Sequence, residues 1–230
     1  EEGQLLEEVN HISENDVEWI TYRSTADKPS VQNGNGDFIS FYPNGKISVS
    51  GSVKNKKMDG DWKFFDENGK HISTIQYKEN TEKTLTVRDK DGAVIVNNGN
   101  GRFVSYYESG NMQEEGEYSN GLKQGEWKTY FDAEENPILG IVNFKDGLMN
   151  GKYLAYFPDG KEQLKGDFQN GFRNGLWTWF TMEGEIESEV RFADGKKTGD
   201  QIFYNEFKAI TKKEKYDNGD LVETILPENF

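Results

Sequence analysis

The sequence predicts an all-β protein: an elongated antiparallel meander of tandem β-hairpins, each about 24 residues long, in a twisted or curled single layer. Three observations carry this reading. Sixteen of the 25 glycines stand in Asn-Gly or Asp-Gly pairs, the dipeptides that favour type I′ hairpin turns because both central residues take positive φ. Six close copies of one segment follow glycines 36, 60, 101, 125, 151 and 175, with a weaker seventh from Gly199, at start-to-start spacings of 24, 41, 24, 26, 24 and 24. The residue two after each glycine is aromatic in six of the seven copies, and the residue five after it in all seven. Offsets of two and five have opposite parity, so on strands they place rings on both faces of the sheet. The glycines interrupt every run that a helix would need.

The elements follow in order. Residues 1–12 read as a short helix or a frayed end, and residues 1–35 as an N-terminal segment with lead-in strands (VEWITYR, then SVQ). Residues 36–79 form a first array of two hairpins. Residues 80–100 interrupt it and repeat the lead-in: SVQNGNGDF (30–38) and IVNNGNGRF (95–103) are near-copies, each preceded by a turn signal, DKP (27–29) or DKDG (89–92). A second array of four or five hairpins fills 101–222, and 223–230 is a tail. Each unit is strand, turn, strand, turn, giving about fourteen strands that continue as one sheet across both arrays. A longer rhythm is present too. Copies from Gly36, Gly101 and Gly151 carry a small residue at the fourth place (Ser40, Ser105, Ala155), where the intervening ones carry Phe64, Thr129 and Trp179, so the true repeat reads as a pair of hairpins.

Composition narrows the function. Only 33% of residues are hydrophobic, 30% are charged and the net charge is −14, which argues against a thick core and against nucleic acid or anionic membrane as partners. No stretch is long and apolar enough for a transmembrane helix. There is no cysteine, and the two histidines, His11 and His71, lie far apart, so thiolate chemistry and a Cys- or His-based metal site are not expected. No cofactor is expected either: the NGNG runs at 33–36 and 98–101 lack the Lys-Ser/Thr and the helix of a phosphate loop. Asp66-Glu67 and Glu134-Glu135 read as solvated turn acids, Ser40 and Ser105 as small residues fitted between rings, and the scattered lysines as solubilising charge.

The aromatics hold the remaining candidates. Trp62, Trp127, Trp177 and Trp179 form a candidate binding surface for stacking on sugar rings or gripping an apolar partner, set against the plainer reading that they are the thin core itself. Phe41, Phe65, Tyr106, Tyr130, Tyr156, Phe180 and Tyr204 read as a structural ladder.

The units GxWxxYxxNGK followed by GxYxNGxxxG resemble the MORN-repeat variant family, bacterial proteins built of tandem β-hairpins; the likeness runs over residues 36–79 and 101–222. The lead-in DKxGxxVxNGNG is similar to a pattern that accompanies such repeats in secreted or envelope proteins of the Bacteroidetes group. The resemblance implies a non-enzymatic scaffold for protein–protein interaction. Its expected location is periplasmic, outer-membrane-anchored or extracellular, with the cytoplasm as alternative. A carbohydrate-binding module using the strand aromatics and a cytoplasmic toxin-neutralising protein, the label some members carry, are the other functional expectations.

Overall fold

A computed structural model describes residues 7–13, 16–22, 30–78 and 81–227, the first two of these segments by their backbone. Among the described residues every regular element is a β-strand. The first sheet runs β1 (Glu7–Ser13), β2 (Asp16–Tyr22), β3 (Val31–Gln32), β4 (Asn35–Phe41), β5 (Ile47–Lys54), β6 (Lys57–Phe65), β7 (His71–Lys78), β8 (Thr81–Arg88) and β9 (Val94–Asn97). The second runs β10 (Gly101–Tyr106), β11 (Met112–Ser119), β12 (Leu122–Tyr130), β13 (Ile138–Lys145), β14 (Leu148–Tyr156) and β15 (Glu162–Gln169). It continues through β16 (Phe172–Phe180), β17 (Ile186–Ala193), β18 (Lys196–Tyr204), β19 (Ile210–Asp217) and β20 (Asp220–Ile225). In both sheets spatial order equals chain order, so each is an open antiparallel meander that does not close into a barrel.

Four expectations are corrected. Twenty strands among the described residues replace about fourteen, because the lead-in segments and the C-terminal stretch each add strands. Residues 7–12 lie in a strand rather than a helix; residues 1–6 and the DKP signal at 27–29 lie outside the described residues. The expected single sheet is two, of nine and eleven strands. β3 and β4 pair through Val31↔Gly36 and Gln32↔Asn35, whereas β9 and β10 meet only through an isolated bridge, Asn97↔Asn100. The chain divides accordingly into two compact units, Glu1–Gly101 with Tyr118–Leu122, and Arg102–Glu117 with Lys123–Phe230.

The fourth correction concerns the glycines. Asn-Gly and Asp-Gly at 33–34, 98–99, 120–121, 146–147, 170–171, 194–195 and 218–219, with Asn55-Lys56, have positive φ at both residues and close two-residue type I′ turns. The glycine that anchors each later copy is not in a turn. Gly60, Gly125, Gly151, Gly175 and Gly199 lie inside strands at φ between 67° and 101°. The pairing of β5 with β6 breaks register between Ser50 and Ser52, opposite the stretch through Gly60, and that of β15 with β16 between Lys165 and Asp167, opposite Gly175.

These breaks position the core. Two residues after the in-strand glycine, Trp62, Trp127 and Trp177 fold onto the preceding strand, where the residue beneath is Gly51, Gly116 or Gly166; a Cβ there would meet the indole at 2.2–2.6 Å. Each indole Nε1 donates to the carbonyl of the next residue, Ser52, Glu117 or Asp167, at 3.1–3.2 Å. Phe103 and Tyr153 stack on the indoles of Trp127 and Trp177 at centroid distances of 5.6 and 5.5 Å, Phe38 lies tilted against that of Trp62 at 5.1 Å, and Tyr77, Phe144 and Phe192 meet the indoles of Trp62, Trp127 and Trp177 edge-on at 6.3, 6.0 and 6.1 Å. In the second unit, from β12 to β16, this arrangement recurs after two hairpins, so the structural repeat there is the pair. Around it are only small clusters: Val31, Phe38, Val53 and Trp62 in the first unit, Trp177, Val190 and Phe192 in the second. In the first unit β2 and β6 approach each other although a flat sheet would hold strands four places apart about 19 Å away, so that sheet is curled.

Candidate functional site

Trp62, Trp127 and Trp177 are at most 1% exposed. That burial corrects the expectation of a binding surface at these three positions: both ring faces are already occupied by protein, and the indole N–H is spent on a backbone carbonyl. Trp179 differs. It is half-buried, packs against Trp177 at 6.5 Å and lines an open groove of about 490 Å³. Its indole N–H finds no acceptor among the described residues.

The seven-ring ladder is not uniformly interior. Tyr130 is buried, Phe65, Tyr156, Phe180 and Tyr204 are half-buried, and Phe41 and Tyr106 are 43% and 47% exposed. Three of the rings face a residue fifteen positions earlier: Tyr130 O–H donates to Glu115 at 2.6 Å, Tyr204 O–H to Glu189 at 2.8 Å, and the Lys165 ammonium sits 4.8 Å over the Phe180 ring, which has no hydroxyl. The Glu115 carboxyl is held below the usual range by the Tyr130 hydrogen bond and by Arg102, whose Nη2 lies 2.5 Å away; burial and Glu115 together push Tyr130 up to about 12.

The groove is made by register. Each strand that carries a ring at the fifth place skips one residue of the next strand: Ala155 pairs with Leu164 but Tyr156 with Glu162, and Trp179 pairs with Ser188 but Phe180 with Ile186. The skipped residues are Gln163 and Glu187. They belong to an exposed series with Ile72 and Leu139, while Ser48 and Thr211 hold the same place in their hairpins. A bulge re-aims a side chain while leaving its neighbours in the ladder. Gln163 and Glu187 therefore reach the groove, whose apolar wall is Phe157, Leu164, Trp179 and Phe180 and whose rim holds Thr181 and the exposed Met182. The Oγ1 of Thr181 is buried without a hydrogen-bond partner. The spacing of one strand could not reveal Gln163 and Glu187, because a bulge is a property of a strand pair.

A second niche, of about 170 Å³, is polar, lined by Arg102, Glu115, Glu117, Glu126 and Lys128 around Gly116; its charges are largely paired with one another. His71 is engaged by Thr74, at 2.9 Å, and by the edge of Phe65. Among the described residues no group of three or more His, Cys, Asp or Glu side chains could hold a metal ion.

No curated protein matches this chain. Among solved structures, crystal structures of TcdB2-TccC3 and TcdB2-TccC3-Cdc42 align over 90% and 92% of this chain at 10% and 9% identity, with TM-scores of 0.18 and 0.20. The chain spans only 14% and 13% of those two. A porin-like protein from Bacteroides uniformis aligns over 83% of this chain and 88% of its own length at 10% identity and TM-score 0.16. Scores this low carry no argument about fold or function. The family model is informative: residues 35–55, 58–79 and 99–120 match the MORN repeat variant, so this chain carries three stretches of that repeat.

Proposed function

We propose that this chain, a repeat scaffold by its MORN-variant stretches, is non-enzymatic and holds a protein partner in the bacterial envelope or exterior. The observation that supports this reading is an apolar strip on the type I′ turn edge of the second unit. Leu148 and Phe172 directly follow such turns and are 51% and 58% exposed. Leu148 leans on Gly171 and Phe172 on Gly195, each in the next turn along, and the turns are tied together by Gly171 N donating to Met149 O and Gly195 N to Arg173 O. Turn tips are ordinarily polar; two large apolar side chains mounted on a hydrogen-bonded edge make a firm anchor for another protein's surface.

The test is capture from native cells with the full chain immobilised, beside a Leu148→Ser, Phe172→Ser variant of unchanged thermal stability. A protein retained by the parent and lost from the double variant supports the reading; equal retention, or none, removes it. Labelling of intact cells with a membrane-impermeant reagent tests the location: an unlabelled chain in cells whose known surface proteins are labelled argues against an exterior site.

A further inference from the structure

Beyond the protein-binding edge, we infer that the groove beside Trp179 is a binding site for an uncharged saccharide. Three polar side chains without a hydrogen bond to another described residue line it, Trp179 with its indole N–H, Gln163 with its amide and Glu187 with its carboxylate, and the Thr181 hydroxyl, buried in its wall, has no partner either. Equivalent places in other repeats are occupied. Asp66, at the place of Thr181, accepts from the backbone N–H groups of Asn68 and Lys70, and Tyr107 donates to the carbonyl of Tyr130. At Phe203, the place of Trp179, the Lys212 ammonium lies 4.0 Å over the ring. Among the described residues, this member of the series is the one that sets an indole without a cation over it beside side chains that have no hydrogen-bond partner.

The chemistry selects the ligand. A pyranose offers an apolar C–H face for an aromatic ring and equatorial hydroxyls that both donate and accept, which matches an indole flanked by an amide, a hydroxyl and a carboxylate. A purely apolar ligand would leave all four polar groups without partners, and a buried unsatisfied group is costly. An anionic ligand would meet Glu187, and the cations beside the groove are engaged: Lys161 with the Met182 carbonyl and Asp159, Lys165 with the Phe180 ring and Glu162. The volume, about 490 Å³, falls within the roughly 300–1,000 Å³ range of small-molecule sites, and the open groove lets a chain of sugars run past it.

The experiment titrates the full chain with neutral oligosaccharides, α- and β-linked hexose and N-acetylhexosamine series, reading saturation-transfer NMR and tryptophan fluorescence. At least one series is expected to give both signals, with affinity falling at least tenfold in Trp179→Ala and threefold or more in Gln163→Ala and Glu187→Ala. The last two substitutions sit at exposed bulge positions, so they decide the matter if Trp179→Ala fails to fold. No response to any series overturns the proposal, as does a response that survives the Gln163 and Glu187 changes, or binding of an apolar peptide in the groove in place of sugars. Loss of the Leu148–Phe172 edge leaves the saccharide response unchanged.

Discussion

The indole of Trp177 lies on Gly166 so closely that a methyl group there would come within 2.3–2.6 Å of three ring atoms. The same holds for Trp127 on Gly116 and Trp62 on Gly51, so the absence of a side chain on one strand is what admits the largest side chain from the next. Conformation is not the issue at these three glycines, none of which has positive φ; space is.

Gly166→Ala is therefore expected to cost about 3 kcal/mol through overpacking against the ring. Gly175→Ala, at φ 72° with nothing within 4 Å of the new methyl, is expected to cost about 1 kcal/mol in backbone strain alone. Urea unfolding of both variants measures the difference; equal losses would contradict the packing argument.

Acrylamide quenching separates the indoles. Trp62, Trp127 and Trp177 are shielded on both faces, so replacing Trp179 by Phe should remove a quencher-accessible component, whereas Trp177→Phe should remove a shielded one and lower stability by roughly 2 kcal/mol through the cavity it leaves. A Trp179→Phe protein quenched as readily as its parent would place Trp179 in the core.

Stability should respond to pH at both ends of the Arg102–Glu115–Tyr130 cluster. The depressed Glu115 carboxyl contributes stability above its unfolded value, near about 4.3, and that contribution is lost as pH falls through the folded value. Tyr130, raised to about 12, contributes below pH 10, and its share is lost between pH 10 and about 12. Thermal unfolding across these windows should show the alkaline loss in the parent and a smaller one in Tyr130→Phe. An unchanged alkaline limb in that variant would mean the hydroxyl is not held by Glu115.

The pairing of Tyr130, Phe180 and Tyr204 with the residue fifteen positions earlier is tested by exchange. Lys165→Glu removes the cation over Phe180, and Phe180→Tyr adds a hydroxyl without an acceptor. Together they recreate the Tyr–Glu pair seen at 130 with 115, so a double-mutant cycle should give a favourable coupling of about 1 kcal/mol. Zero coupling would show that the positions do not interact.

Lys56 is the one residue other than glycine in second place among the eight type I′ turns described, at φ 68°. Lys56→Gly is expected to raise stability by about 0.5–1 kcal/mol as backbone strain is relieved, read as a higher urea midpoint.

What could be read from the sequence was whatever one strand reveals alone. The ring spacing gave strands, the Asn-Gly pairs gave hairpins, and the small-large alternation at Ser40 and Phe64 or Ala155 and Trp179 pointed to a two-hairpin repeat. What stayed hidden depends on how two strands register. Gly175 looks like a turn residue in the string Asn-Gly, yet its positive φ serves a break in the pairing of β15 with β16. The burial of Trp177 rests on Gly166, eleven residues earlier, and the exposure of Gln163 and Glu187 on bulges that no single-strand period encodes.

The two-hairpin repeat also sets the grain at which such a chain can be cut and rejoined. Excising residues 125–174 would bring Trp177 into the place of Trp127, over Gly116, with a glycine waiting beneath it. Removing one hairpin, residues 151–174, would instead put that indole in the place of Tyr153, opposite Val142, whose side chain would stand in its way. Recombination between copies, in nature or at the bench, should therefore yield viable proteins that differ by even numbers of hairpins and discard those that differ by odd ones.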